Sequence, residues 1–124
     1  MKSSSRGAIV VSTFSDEVSA SELARKVLDA KLCACVNIAP IRSLYRWKGK
    51  VEDQQEYLAI FKTTKLAAPR LKKLVASLHP YEVPEIVELE MRDVWGPYLS
   101  WLVRETSPNS VSKNRNNSSK RRNP

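Results

Sequence analysis

The apolar pattern of this chain predicts an α+β domain of the ferredoxin-like, split βαβ class, followed by an extra C-terminal helix. Two observations lead to this prediction. Segments with the two-residue period of strands and segments with the helical period follow one another in the order β-α-β-β-α-β. The length of 124 residues leaves room for one such domain.

The first strand and the first helix are predicted before residue 30. Ala8 to Val11 is a short apolar run rich in β-branched residues, which is typical of a buried strand. Ser15 and the acids after it indicate a helix start, because side-chain oxygens there accept hydrogen bonds from free amides and acids suit the helix dipole. Apolar residues then recur on one helical face, at Ala20, Leu23, Ala24, Val27 and Leu28.

A β-hairpin is predicted next. Leu32 to Trp47 reads as a long strand that is bent or interrupted at Pro40, and Glu56 to Thr63 reads as the returning strand. Gly49 lies between them, where a tight turn needs a permissive residue. The two strands are therefore expected to pair in antiparallel fashion.

A second helix, a fourth strand and a closing helix complete the order. The second helix is expected to end at His79, because Pro80 disfavours helical geometry in the residue before it. Val83 to Met91 follows as a strand, and a helix begins near Pro97. The apolar faces of the two helices contain Leu71, Leu74, Val75 and Leu78, and Tyr98, Trp101 and Leu102.

The predicted sheet is apolar on both faces. In the third strand, Leu58 and Ile60 alternate with other apolar residues, and in the second strand Cys33 and Cys35 share the face opposite Val36. Two helices cover one face of such a sheet, so the other face needs a different cover. Self-association would provide it.

Composition divides the chain into three parts. Residues 1–6 are expected to be a flexible N-terminus, residues 7–106 the folded domain, and residues 107–124 a disordered basic tail. The net charge is +8, and the tail holds five basic residues without any acid, which leaves 16 basic and 13 acidic residues in the rest. The basic character is therefore mostly a property of the tail.

Cysteine usage and hydropathy favour a cytoplasmic protein. Cys33 and Cys35 are too close in sequence for an ordinary disulfide, and the first residues do not resemble a signal peptide. No run approaches the roughly 20 apolar residues of a membrane span. We therefore expect a reducing compartment and no membrane.

Five segments in register resemble the CutA family of divalent-cation tolerance proteins, over about residues 8–106. They are Ala34-Cys35-Val36-Asn37-Ile38, Ser43-Leu44-Tyr45-Arg46-Trp47-Lys48-Gly49-Lys50, Lys62-Thr63, His79-Pro80-Tyr81-Glu82-Val83-Pro84-Glu85-Ile86 and Tyr98-Leu99-Ser100-Trp101. The resemblance implies a ferredoxin-like fold in a homotrimer, a role in tolerance of divalent metals, above all copper, and no enzymatic activity. It implies Cu²⁺ or Zn²⁺ as the bound ion. Where some members carry a metal-binding cysteine at the end of the first strand, this chain has Ser12, a poor ligand for copper.

Three residues are the candidate metal ligands. His79 offers an imidazole, although a histidine at a helix end can equally hydrogen-bond the last carbonyls. Glu56 matches an acidic position of the family, and Cys35 matches a family cysteine, but they can equally be a hairpin charge and a buried apolar thiol. One His, one Glu and one Cys fall short of four ligands. Metal binding is therefore expected to be weak or completed across subunits.

A second group of residues suggests a ligand cleft between subunits. Lys62 is a cation among apolar strand residues, which requires a partner anion or a water-filled cleft. Aromatic side chains beside a lysine would suit a small anionic or flat ligand. The group consists of Lys62, Tyr45, Trp47, Tyr81 and Glu82. The alternative is that Lys62 pairs with a glutamate, which would be Glu56, Glu82 or Glu85.

Two other functions are compatible with the sequence. A signalling trimer like the PII proteins would share fold and assembly and would bind a small anionic ligand in the cleft. Nucleic acid would contact the tail residues Lys113 to Arg122 through its phosphates. Outside the tail, no aromatic and basic signature of RNA binding is evident. The sequence shows no recognisable pairing of a catalytic nucleophile with a general base, so nothing in it indicates an enzyme.

Overall fold

The computed structural model of the chain describes residues 6–108, which form one four-stranded antiparallel sheet and three helices. The elements are β1 (Gly7–Phe14), α1 (Glu17–Asp29), β2 (Cys35–Trp47), β3 (Lys50–Thr64), α2 (Ala68–Leu78), β4 (Val87–Glu90) and α3 (Gly96–Glu105). The strand order is β2-β3-β1-β4, which confirms the predicted ferredoxin-like arrangement with an added C-terminal helix. Residues 1–5 of the predicted N-terminal segment 1–6 and residues 109–124 of the predicted tail 107–124 lie outside the described residues, while Arg6 forms an ion pair with Glu90.

Helix α1 begins one residue later than expected from Ser15. Asp16 is the N-cap, and its Oδ1 accepts a hydrogen bond of 2.7 Å from the Ser19 amide. The hydrogen bonds from the Ser19 amide and hydroxyl lower the pKa of Asp16. The helix ends where Lys31 takes a positive φ of 61°, so β2 begins at Cys35 and not at Leu32.

Strand β3 is longer than the predicted Glu56 to Thr63, because the ladder continues to the turn, and β2 runs through Pro40 without the predicted interruption. Lys48 and Gly49 both have positive φ, as a tight two-residue hairpin turn requires. The register runs from Trp47 opposite Lys50 to Cys35 opposite Lys62. Strand β1 pairs with β3 only up to Tyr57, so residues 41–56 form a two-stranded ribbon beyond the sheet.

Strand β4 is shorter than the predicted Val83 to Met91. It pairs with β1 from Val87 to Glu90, while residues 79–86 form a loop with prolines at positions 80 and 84. This loop runs beneath the ribbon and forms one wall of the site described below.

The core lies between the sheet and helices α1 and α2. Alternate residues of β1 and β3 point into it, among them Val10, Phe14 and Phe61, and they meet Val27 and Leu71 of the helices. Each of these five side chains is fully buried. Helix α3 packs on β3, and its buried Leu102 lies outside this core cluster. None of the helices within residues 6–108 is long and apolar enough to cross a membrane.

The two cysteines do not share a face, contrary to the prediction. Cys33 precedes β2 and is buried in the core cluster, where burial raises the pKa of its thiol to about 12. Cys35 pairs with Lys62, which follows the core residue Phe61 and so lies on the opposite face of the sheet. The two thiols therefore do not form a chelating pair within one chain.

The face of the sheet turned away from α1 and α2 is apolar, as predicted. Its register brings Ile9 and Val11 of β1 beside Ile60 of β3 and beside Leu89 and Val87 of β4. The β1 and β3 side chains are half-buried, while Val87 and Leu89 are exposed. This face, named here the open face, keeps solvent-accessible apolar surface in a single chain.

Ser12 provides a test of the core. Its Oγ is fully buried and has no hydrogen-bond partner among the described residues. Since an unsatisfied buried hydroxyl costs about 1–3 kcal/mol, Ser12→Ala should raise the free energy of unfolding by about 1 kcal/mol. Urea unfolding at one fixed protein concentration measures the change.

The matched control is Thr63→Val. Thr63 is also fully buried, but its hydroxyl donates to the Leu32 carbonyl at 2.7 Å, so its loss should lower the free energy of unfolding by about 1 kcal/mol. A destabilised Ser12→Ala protein would show that the Ser12 hydroxyl has a stabilising partner.

Candidate functional site

His79 anchors the loop that follows α2. Its backbone is extended, with ψ of 135°, because Pro80 excludes a further helical turn. The ring Nε2–H donates to the Thr13 carbonyl at 2.9 Å, and Nδ1 accepts from the Tyr81 amide at 3.1 Å. A carbonyl can only accept and an amide N–H can only donate, so the neutral tautomer with the proton on Nε2 is assigned. Both ring nitrogens therefore have partners.

The surroundings of His79 keep its ring neutral. The ring stacks on Phe14 with centroids 4.4 Å apart and an interplanar angle of 13°. Burial lowers the pKa of His79 below its ordinary value of 6.5, and this effect exceeds the opposing influence of the Thr13 hydrogen bond and the Glu56 charge. A proton on Nδ1 would also abolish its acceptance of the Tyr81 amide. The placement is that of a structural histidine.

Glu56 is a buried carboxylate held by Tyr81. Its side chain lies where the β1 ladder ends, and the residue is 6% exposed. Tyr81 Oη donates to Glu56 Oε2 at 2.6 Å. Burial of the phenol and this hydrogen bond raise the pKa of Tyr81, so the phenol remains protonated as the donor. Glu56 forms no ion pair with the residues that the structure describes.

A cleft of about 650 Å³ opens beside this pair. One wall is the β2–β3 ribbon and the other is the loop of residues 81–85. Its lining consists of Thr13, Arg42, Ser43, Leu44, Tyr45, Trp47, Glu56, Tyr81, Glu82, Val83 and Glu85. The volume lies in the range of small-molecule sites.

The three candidate metal ligands do not come together in one chain. Glu56 and His79 are near each other, and both contact Tyr81. Cys35 lies opposite Lys62, which is six positions along β3 from Glu56. At 3.3 Å per residue, Lys62 and Glu56 are about 20 Å apart along the strand. Within residues 6–108, no group of three or more His, Cys, Asp or Glu side chains could hold a metal ion. The residues of a single chain therefore do not fit a tight copper or zinc site.

The structure brings together four of the five residues predicted for the ligand cleft. Tyr45, Trp47, Tyr81 and Glu82 line it, but Lys62 does not. Lys62 lies on the open face opposite Cys35, and it pairs with no acid within the described part of the chain. Neither the predicted cationic wall nor the alternative Lys62–glutamate pair is therefore present in one chain.

Several cleft residues were missed by the sequence analysis. Arg42 lines the cleft, and its Nε and Nη2 donate to the Asp53 carboxylate at 2.9 and 2.7 Å. The other missed residues are Thr13, Ser43, Leu44, Val83 and Glu85. A signal was available for Arg42 and Asp53, because a charge pair across a predicted hairpin suggests neighbouring strands. No local pattern indicates that β1 and the loop of residues 81–85 meet at one site.

The role of His79 predicts a pH dependence of stability. A folded-state pKa below the unfolded value means that the unfolded chain binds a proton more readily, so stability is complete above about pH 6.5 and falls as the pH is lowered through the window beneath it. His79→Gln, which removes the single histidine, should abolish this slope. Urea unfolding between about pH 7.5 and pH 5.5 measures it. Equal slopes in both proteins would contradict the assignment.

The Tyr81–Glu56 hydrogen bond predicts a loss of stability in Tyr81→Phe. The substitution leaves a buried carboxylate without its donor, which should lower the free energy of unfolding by about 1–3 kcal/mol. The matched control is Tyr45→Phe, because Tyr45 lines the same cleft with a more exposed ring and should change stability by less than about 0.5 kcal/mol. Equal effects of the two substitutions would show that the hydrogen bond contributes nothing.

Comparison with known proteins identifies the family. The CutA1 divalent ion tolerance protein family matches residues 8–105. The divalent-cation tolerance protein CutA of Thermus thermophilus is 44% identical over 99 residues, which cover 79% of this chain and 96% of that protein.

Solved structures of the family are similar to this chain, and two of them serve as examples. CutA1 from Oryza sativa has a TM-score of 0.80 at 34% identity and covers 86% of this chain and 98% of its own. The periplasmic divalent cation tolerance protein CutA from Archaeoglobus fulgidus has a TM-score of 0.79 at 29% identity and covers 82% and 99%. Because the family match spans nearly the whole folded domain, the chain belongs to the CutA1 divalent ion tolerance family.

Proposed function

We propose that this chain is a non-enzymatic protein of divalent-cation tolerance that works as a homotrimer and binds copper or zinc weakly, with ligands completed between subunits. The family match over residues 8–105 is the observation on which the proposal rests. The Thermus thermophilus relative is described by the same role, divalent-cation tolerance. The chemistry of the site agrees with a binding role, since its most buried acid, Glu56, accepts a hydrogen bond from the protonated phenol of Tyr81.

The open face supports the trimer. Ile9, Val11, Leu58 and Ile60 form a half-buried apolar surface there, and Val87 and Leu89 extend it with exposed side chains. A surface of this kind is stabilised when it is covered. Other copies of the same chain would provide the cover without any further helix.

Cys35 supports a metal site that is shared between subunits. Its thiol is half-buried on the open face, whereas His79 uses both ring nitrogens and Glu56 accepts from Tyr81. Thiolate is a ligand type that Cu⁺ and Zn²⁺ prefer. One thiol is not enough for a site, but three subunits supply three. We therefore propose Cys35 as the principal metal donor.

The proposal also concerns the cellular compartment. Cys33 and Cys35 are both free thiols, which suits a reducing environment, so we propose that the protein acts in the cytoplasm. The Archaeoglobus fulgidus relative is described as periplasmic, so the localisation needs its own measurement by cell fractionation.

The two alternative functions find less support. A small anionic ligand would meet Glu56, Glu82 and Glu85 in the cleft, and Lys62 does not line it. Contact with nucleic acid through the basic residues Lys113 to Arg122 lies outside the described residues.

The test combines subunit count and metal titration on one purified sample. Light scattering should give three subunits, and calorimetric titration with Zn²⁺, and with Cu⁺ under a reductant because Cu²⁺ oxidises free thiols, should give saturable binding with a Kd of about 1 μM. Cys35→Ser should weaken binding at least about tenfold, because it removes the soft donor. Cys33→Ser is the matched control and should change affinity less than about twofold, since its thiol is buried in the core.

Three outcomes would contradict the proposal. A monomer at working concentration would remove the shared site. Unchanged affinity in Cys35→Ser would exclude Cys35 as the donor. A large loss in His79→Gln, with the trimer intact, would place the metal at the imidazole despite its two hydrogen bonds.

A further inference from the structure

The cleft between the β2–β3 ribbon and the loop of residues 81–85 is negatively charged. Three carboxylates line it, from Glu56, Glu82 and Glu85. Arg42 is the single basic residue among the lining residues, and its guanidinium is already neutralised by the bidentate pair with Asp53. The cleft therefore attracts a positive charge.

The deepest of these carboxylates lacks a cation. Only 6% of the Glu56 surface is exposed, and its hydrogen-bond donor within the described residues is the neutral phenol of Tyr81. A buried carboxylate is costly unless it is paired with charge as well as hydrogen-bonded. A cationic group in the cleft would supply the missing pair.

The walls beside the carboxylates are aromatic. Tyr45 and Trp47 come from the ribbon, and Tyr81 comes from the facing loop. Aromatic faces attract ammonium and guanidinium groups, and the Lys48 Nζ lies 5.5 Å from the centre of the Trp47 ring in this chain. Aromatic walls with nearby carboxylates are the surroundings that an organic cation needs.

The same features disfavour a metal ion in this cleft. A divalent metal requires several donors that converge on one point at 2.0–2.6 Å. No group of three or more acidic, His or Cys side chains within residues 6–108 meets that condition, so the three cleft carboxylates do not converge on one point. An ion larger than a bare metal can contact carboxylates that lie apart.

We propose that the cleft binds a small organic cation, a primary ammonium or guanidinium group on a short apolar stem. The charged group pairs with Glu56 at the base, the stem lies between the aromatic walls, and Glu82 at the rim provides further attraction. This site is separate from Cys35 and from metal binding.

The experiment uses the full chain in its native assembly, in the presence of EDTA so that metal binding cannot contribute. Calorimetric titration with 1,5-diaminopentane and with agmatine should give saturable binding with a Kd of about 1 mM or tighter. The neutral 1,5-pentanediol and the anionic glutarate have matching stems and should not bind. Because EDTA is present, a negative result in the cation titration leaves the proposal of metal binding unaffected. A negative result in the metal titration likewise leaves the proposal of cation binding unaffected.

Variants locate the site. Glu56→Gln should weaken binding of the two cations at least about tenfold, because it removes the buried charge. Glu82→Gln, which changes an exposed residue and so keeps the fold, should weaken it about threefold. Glu22→Gln on α1 is the control outside the cleft and should have no effect.

The proposal is overturned by any of three results. The first is that neither cation binds the wild-type protein with a Kd tighter than about 1 mM. The second is that glutarate or the diol binds as well as the diamine. The third is that the cations bind, but with an affinity that is unchanged in both Glu56→Gln and Glu82→Gln.

Discussion

Strand β3 hydrogen-bonds to its two neighbours over different lengths, and the rest of the site depends on that difference. Its 15 residues pair with β2 as far as the turn, but β1 accompanies it only from Tyr57 to Thr64. The remaining part of the hairpin therefore extends past the sheet as a ribbon. The loop after α2 runs beneath it, and a cleft results. Glu56 lies where the ladder to β1 stops.

The buried charge at this place requires a chain of supporting contacts. Glu56 accepts from the phenol of Tyr81, and the Tyr81 backbone is held by its amide hydrogen bond to His79. His79 is held in turn by the Thr13 carbonyl and by the ring of Phe14. Each of these polar groups lacks full access to water, so the loss of one leaves its neighbour unsatisfied. This series of hydrogen bonds and ring contacts explains why the segment His79-Pro80-Tyr81-Glu82 can be important in the domain without binding a metal.

The domain presents two surfaces of opposite chemistry. The open face is largely apolar, with Cys35, Asn37 and Lys62 among its polar residues, and suits contact with other copies of the chain. The cleft is acidic and aromatic, and suits a small cationic molecule. The two surfaces can thus be altered by different substitutions.

The sequence by itself determined the order of the elements, because periods of two and 3.6 residues are local and Pro80 and Gly49 act on their immediate neighbours. The structure confirmed the fold class on that basis. It alone decided the partners of side chains that are far apart in sequence. The separation of Cys33 from Cys35, the absence of Lys62 from the cleft and the two hydrogen bonds of the His79 ring depend on strand register and loop path. Those follow from packing of the whole chain, which no local pattern encodes.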